Sequence, residues 1–324
     1  MKKSSDNICC KTQNQGTKAA GQKNKANKHK KLKRENKVFA IISSSVLGVV
    51  VLFYLFILGW AFIASFKSAM DLQYNPLSFP SKKAYGGWHP ENFIIAFKIM
   101  NVQIADPAGT IYVYAPEMLF NSVIYSVGSV FMGLFMTALV AYCCAKYDYK
   151  ICKIIYATVI VVMILPIVGS LPSSVQMSRK LGLYDHLYGT IIQNMGFCNI
   201  NFLIFYAAFK SVPNTYAEAA YMDGASQWKV YFVIMFPLVK ASMLSVGLLQ
   251  FIGFWNDFSN PMIFLPTHPV IAYGLQSFQN SRHSMATDPV KLAASFITCI
   301  PVMVLFICFR KKIMSNITFG GLKG

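Results

Sequence analysis

Apolar positions in this chain gather in long blocks instead of alternating. Stretches without Asp, Glu, Lys or Arg cover residues 38–66, 118–145, 154–178, 187–209 and 292–309. A sixth apolar stretch, interrupted by Asp257, covers 241–265. A bilayer core of about 30 Å is crossed by roughly 20 helical residues, so each block has spanning length. Membrane strands would show a period of two, which these blocks lack. The pattern predicts an all-α, polytopic protein with six transmembrane helices. Pro166, Gly169 and Pro172 interrupt the block 154–178, the third along the chain, and Pro301 the block 292–309. Such breaks are tolerated where neighbouring helices or cavity water satisfy the freed backbone groups, so the third span is expected to bend, either lining a path or packing around a kink.

The segment 65–117 is punctuated by Pro76, Pro80, Gly86, Gly87, Pro90 and Pro107, which predicts loops around one short helix near residues 91–100. It is too small for a catalytic domain with its own core. The segment 211–240 reads differently. Pro213 suits a first helical turn, Asn214 or Thr215 can cap it, and residues 217–222 favour helix. Gly224 can take the left-handed conformation that ends a helix, and Ser226 can cap a second one running to Pro237. That second helix places Trp228, Tyr231, Phe232 and Met235 on one apolar face. The face needs a cover, either the chain's own transmembrane bundle or a groove on a soluble partner.

Composition agrees with membrane insertion. Hydrophobic residues make up 55% and charged residues 13% of the 324, with a formal charge of +18. Lys and Arg divide 22 to 8 between alternate connections, the larger share in 1–37, 146–153, 210–240 and the C-terminal end. Cytoplasmic connections carry such an excess, so both termini and the 211–240 segment are expected in the cytosol. Residues 1–37 hold 12 basic side chains and no aromatic ring, a composition that predicts a disordered tail. It would anchor topology or touch anionic lipid headgroups; without interleaved aromatics, nucleic acid is not an expected partner. The remaining domain assignment is a transmembrane unit at 38–312 and a short cytosolic tail at 313–324. Cys143 and Cys144 lack partner ligands at metal-site spacing and read as packing residues. No catalytic or metal-binding set is expected.

Glu218-Ala219-Ala220, Asp223-Gly224-Ala225, Ile234 and Pro237-Leu238 together resemble the "EAA" loop of ABC importer permeases. The remainder looks like the maltose-type, multiple-sugar branch: Phe79-Pro80 with Glu91-Asn92-Phe93, Leu181-Gly182-Leu183-Tyr184-Asp185 with Gly189, Trp255-Asn256-Asp257-Phe258, and the glycine-rich end 318–324. Ala241 stands where that family often has proline. The resemblance implies a bacterial plasma-membrane permease subunit that pairs with a second, similar permease. Each would present its elbow to one of two ATPase subunits, with Glu218, Ala219, Ala220, Asp223, Gly224, Ala225, Ile234 and Pro237 as coupling residues. It implies an extracellular sugar-binding protein, and ATP and Mg used by the ATPase subunits rather than bound by this chain. Consistent with that, the chain contains no Gly-x-x-x-x-Gly-Lys-Ser/Thr phosphate loop.

Polar groups at membrane depth face protein or a water-filled path. Asn194, Asn199, Gln250, Trp255, Asn256 and Asp257 are the candidate path residues, because amides, a carboxylate and an aromatic face suit a sugar. The competing assignment is interhelical hydrogen bonding or helix capping. Two rival functions stay open at this point: import of another small solute, and ion-coupled secondary transport.

Overall fold

The computed structural model describes residues 39–81, 86–106, 109–165 and 169–317; the basic tail, Pro166 and the glycine-rich end lie outside them. The chain forms two units, divided after Ile63. The first carries α1 (Phe39–Ala64), 26 residues of mean hydropathy 2.7 with apolar side chains exposed on every side. A helix that is apolar all round belongs in lipid.

The second unit begins with short α2 (Ala69–Tyr74) and α3 (Glu91–Ile99), followed by strands β1 (Asn101–Asp106) and β2 (Gly109–Tyr114). The strands pair antiparallel, Val102 opposite Val113 and Gln103 opposite Tyr112. This hairpin departs from the all-α expectation. Its signal was present in the sequence: alternating Val102, Ile104, Ile111 and Val113 around Asp106-Pro107-Ala108-Gly109. One face of the alternation is buried, because Val102, Ile104 and Val113 enter the core beside Met100 and Ala115.

Next come α4 (Ala115–Lys146), α5 (Lys150–Ile164), α6 (Leu171–Lys180), α7 (Leu187–Gln193), α8 (Ile200–Ser211) and α9 (Thr215–Met222). After them are α10 (Gln227–Trp255), α11 (Ser259–Phe264), α12 (Ile271–Gln279) and α13 (Asp288–Ile317). Among the described residues, four helices are long and apolar enough to cross a membrane: α1, α4, α10 and the 288–309 part of α13. The expected third and fourth spans are each divided. Gly169 is left-handed at φ +82 just before α6, which carries Pro172 in its first turn. Between α7 and α8, Asn199 caps the new helix by accepting from the Asn201 and Phe202 amides at 3.0 and 3.3 Å. Hydropathy is blind to these breaks because the polar groups that serve the backbone sit within apolar blocks. The fifth span also differs: it starts at Gln227 and passes through Pro237. Residues Val230–Met235 are wound as a π-helix, whose wider turn accommodates a proline that would clash with the fourth preceding carbonyl in regular α winding.

Two apolar cores sit at opposite ends of α4. One joins the C-terminal half of α4 to α8 and the 211–240 elbow through Tyr142, Phe202, Phe209 and Tyr231. The other joins the start of α4 to the hairpin, α12 and the start of α13 through Met118, Val113, Ile271 and Ala293. At the hairpin end the 181–189 turn is pinned to the loop after α11. Asp185, at φ +62, donates its amide to Phe264 O at 2.9 Å. Its carboxylate accepts from the Thr267 amide and hydroxyl, both at 2.9 Å. The Tyr188 hydroxyl donates to Gly182 O at 3.2 Å.

Candidate functional site: the elbow and the middle of α4

The elbow is α9, a turn, and the start of α10. Its turn is a Schellman motif: the Ala225 amide donates to Ala220 O at 2.9 Å and the Gly224 amide to Tyr221 O at 3.0 Å. This geometry requires a left-handed residue, and Gly224 has φ +76. Ser226 then caps α10, its hydroxyl accepting from the Lys229 amide at 3.4 Å. The helix start is built differently from the capping expected at Asn214 or Thr215. Asn214 makes no side-chain cap. Its Oδ1 instead accepts from Lys146 Nζ at 2.9 Å, and the same ammonium donates to Val212 O. The last residue of α4 thus fastens the root of the elbow.

The motif residues divide by side. Ala220 is buried and Ala217, Ala225 and Ile234 are half-buried against the core of Tyr142, Phe209 and Tyr231. Small side chains let α9 lie close to that aromatic cluster, in which Tyr142 stacks edge-on to Tyr147 and Phe209 at 6.0 and 5.3 Å. The Tyr147 and Tyr221 hydroxyls meet at 3.4 Å. Burial pushes the Tyr147 hydroxyl above its ordinary range, and the bond to Tyr221 adds to that, so Tyr147 stays neutral where the elbow joins the bundle. Glu218, Ala219, Asp223 and Pro237 face outward with Tyr216, and Met222 is 89% exposed.

The single apolar face expected for the second helix is split. Tyr231 and Met235 are buried, whereas Trp228 and Phe232 are exposed. The π winding rotates residues out of the 3.6-residue register on which the expectation rested. The exposed pair continues a ladder of stacked rings, Trp228–Phe232–Phe135–Phe131, with interplanar angles of 19°, 11° and 8°.

Because a Cβ on Gly224 would meet nothing within 4 Å, replacing it probes the backbone alone. Gly224→Ala is expected to weaken the turn by about 1 kcal/mol, the strain of a left-handed L-residue. Hydrogen–deuterium exchange of the 220–230 amides should accelerate about fivefold. An unchanged rate would show that the turn does not depend on glycine.

The candidate path residues fall in three places. Asn194 and Gln250 meet at Gly133, where a Cβ would lie 3.2 Å from Asn194 O and 3.9 Å from Gln250 Oε1. Asn194 Nδ2 donates to Ser129 Oγ at 2.9 Å. This is the middle of α4, between the two cores, and its buried residues there are Ser126, Ser129, Gly133 and Thr137. Among the described residues, Ser126 Oγ, Thr137 Oγ1 and Gln250 Oε1 are buried without a hydrogen-bond partner. Asn199 serves instead as the cap of α8. Trp255, Asn256 and Asp257 end α10. Trp255 is buried and donates its indole N–H to Thr298 O at 3.0 Å. Asn256 Nδ2 donates to Ile252 O at 2.9 Å. Asp257 accepts from the Ser259 and Asn260 amides at 3.1 Å and from the Tyr125 hydroxyl at 3.0 Å. Tyr125 was missed in the sequence, where a tyrosine in an apolar block carries no sign of its partner.

The family model described as "binding-protein-dependent transport system inner membrane component" matches residues 118–311. Among individual proteins, the chain is 24% identical over 286 residues to the diacetylchitobiose uptake system permease protein NgcG of Streptomyces coelicolor, covering 87% of this chain and 88% of that protein. It is 27% identical over 221 residues to the arabinooligosaccharides transport system permease protein AraQ of Bacillus subtilis, covering 67% and 75%. Its fold matches a chain in the crystal structure of a bacterial ABC transporter involved in the import of the acidic polysaccharide alginate, with a TM-score of 0.69, 21% identity and coverage of 86% of this chain and 97% of that one.

Proposed function

The chain belongs to the family of binding-protein-dependent transport system inner membrane components, and from that premise we propose that it is the permease subunit of an ATP-driven importer of carbohydrate, with short oligosaccharides as the substrate class. The relatives named for diacetylchitobiose and arabinooligosaccharides support the substrate class. The observation that carries the mechanism is the elbow. Its turn is closed by backbone hydrogen bonds, its root is tied to α4 by Lys146, and its inner side is packed on aromatic rings, while Glu218, Asp223 and Met222 are exposed. Such an element moves with the bundle as a rigid body and leaves a surface for a partner.

In this reading the elbow faces the cytosol, as do both termini, and the basic residues of 146–153 and 210–240 support that orientation. A second permease completes the pathway, and each elbow seats on one of two ATPase subunits, where ATP and Mg are bound and consumed. Closure of the ATPase pair pushes α4, α8 and α10 through the elbow core. The substrate, delivered by an external binding protein, passes the middle of α4, where Ser126, Thr137 and Gln250 hold unused hydrogen-bonding capacity. Asn194 lies beside them, and Asp257 with Tyr125 holds the outer end of α10 in place.

Cysteine cross-linking tests the elbow's role. In inverted membrane vesicles holding the whole complex, Met222→Cys is expected to form a bismaleimide product with the ATPase subunit, with the unsubstituted chain as control for its native cysteines. No product at any linker length, with the ATPase still attached to the complex, would remove the elbow from the coupling interface.

A further inference from the structure

The end of the molecule opposite the elbow holds a cavity of about 650 Å³ that the permease mechanism does not use. It lies between the β-hairpin, α11, α12 and the loop leading to α13. Both segments that line it, 99–112 and 258–283, belong to connections that the Lys and Arg distribution places outside the cell. The hairpin supplies one wall because strand alternation gives it two faces. Val102 and Val113 go into the core, so the directly paired Gln103 and Tyr112 turn the other way, into the cavity. Helix α12 supplies Tyr273, Gln276 and Ser277 from the opposite side.

The chemistry of the lining is selective. No Asp, Glu, Lys or Arg contributes to it. The amides of Gln103 and Gln276 and the hydroxyls of Tyr112, Tyr273 and Ser277 each donate and accept, and none of them bonds to another described residue. Hydroxyl groups of a saccharide also donate and accept, and its C–H faces pack on aromatic rings, which Tyr112 and Tyr273 offer. A cation would find no carboxylate here, and the one ionisable side chain in the lining besides the tyrosines is the imidazole of His283. The volume falls within the range of small-molecule sites. Tyr273 also packs against the cluster of Tyr125, Leu265 and Val270, and Tyr125 is the residue that holds Asp257. One helical turn along α4 from Tyr125 is Ser129, the partner of Asn194. Through Tyr273, one wall of the cavity thus backs onto the cluster that includes Tyr125, at the start of the polar stretch of α4.

We propose that this cavity is a docking subsite for a neutral saccharide at the outer mouth of the permease, occupied between release from the binding protein and entry to the middle of α4. It rests on the carbohydrate-importer reading above, and the test separates the two. The complete complex, in nanodiscs and without binding protein, is dialysed to equilibrium against radiolabelled diacetylchitobiose, arabinotriose, raffinose and maltotriose. ATP-dependent uptake of the same four glycans is measured in proteoliposomes with the binding protein. At least one glycan is expected to bind, and Gln276→Leu and Tyr112→Ala are each expected to weaken that binding about tenfold, the loss of one or two good hydrogen bonds. Both residues are exposed, so neither substitution opens the core; Gln103→Leu, on the facing strand, is a third variant with the same expected direction. Binding that the variants leave unchanged places the sugar elsewhere and overturns the proposal, assigning the cavity instead to a protein loop from the binding protein or the second permease. Uptake without direct binding also overturns it while leaving the importer reading intact. Neither uptake nor binding of any of the four overturns both.

Discussion

Glu218→Arg is expected to lower sugar uptake by more than tenfold while the protein still inserts and assembles in the membrane. Within the described residues Glu218 makes no side-chain hydrogen bond or ion pair and is exposed, so its removal leaves no buried group unpaired in this chain. It lies in the first turn of α9, where a negative charge is favoured by the helix dipole. Reversal there costs about 1 kcal/mol at most. At an interface the effect is larger, because an arginine facing basic groups of a partner is repelled by several kcal/mol. The neutral variant Glu218→Gln separates the two. It keeps shape and hydrogen-bonding capacity and should lose only the modest worth of one partly exposed charge pair, about 0–1 kcal/mol. ATP-driven uptake in proteoliposomes, paired with thermal denaturation of the purified complex, reads both. Uptake unaffected by arginine would show that this carboxylate faces no partner.

Gly189→Ala is the second large effect, and it acts through folding. A Cβ at this position would lie 1.9 Å from Leu183 O, 2.7 Å from Leu183 C and 2.8 Å from Leu183 Cα. The obstacle is backbone, and that backbone is held on both sides. The Leu183 amide donates to Ser178 O at 2.9 Å, and Asp185 is bonded to Phe264 and Thr267. Relief of the clash therefore means breaking the turn. Overpacking of this kind costs about 3 kcal/mol, toward the upper end for an inserted methyl. Gly274→Ala is the control. Its nearest contact is also short, 2.4 Å, but to the sulfur of Met118, a flexible side chain that can move. The expected result is a severe fall in assembled protein for Gly189→Ala and a mild one for Gly274→Ala, read by detergent-extracted yield and melting temperature. Equal behaviour of the two would show that the 181–189 turn yields more readily than its hydrogen bonds imply.

These two positions also show how far the sequence could be read. The elbow was legible because its signals are local. Gly224, Ser226 and the alanines of 217–225 each dictate something within four residues, and the structure places a left-handed turn, a cap and a close-packed helix there. The spans α4 and α13 were legible because hydropathy integrates over a whole helix. The divided third and fourth spans were less so. An apolar block that contains Asn199 looks continuous until the cap it forms is seen. The hairpin is hidden because Pro107 reads as loop punctuation, although Val102, Ile104, Ile111 and Val113 alternate on either side of it. The root of the elbow was beyond reach altogether: Lys146 and Asn214 are far apart in sequence, and nothing local in either announces the other.

The π-wound residues Val230–Met235 stand between the elbow and the span it continues into. A wide turn of this kind holds one more residue than an α turn covering the same rise. Deleting one of the six would restore ordinary winding and leave the elbow upstream in nearly its present direction, whereas the same deletion in a regular α stretch would swing it about 100° around the helix axis, the angle of a single α residue. Glu218 would keep its direction relative to α10 beyond Pro237, but Pro237 would again face the fourth preceding carbonyl in regular α winding. The wide turn thus lets the helix carry one additional residue and a proline at its entry without turning the elbow aside.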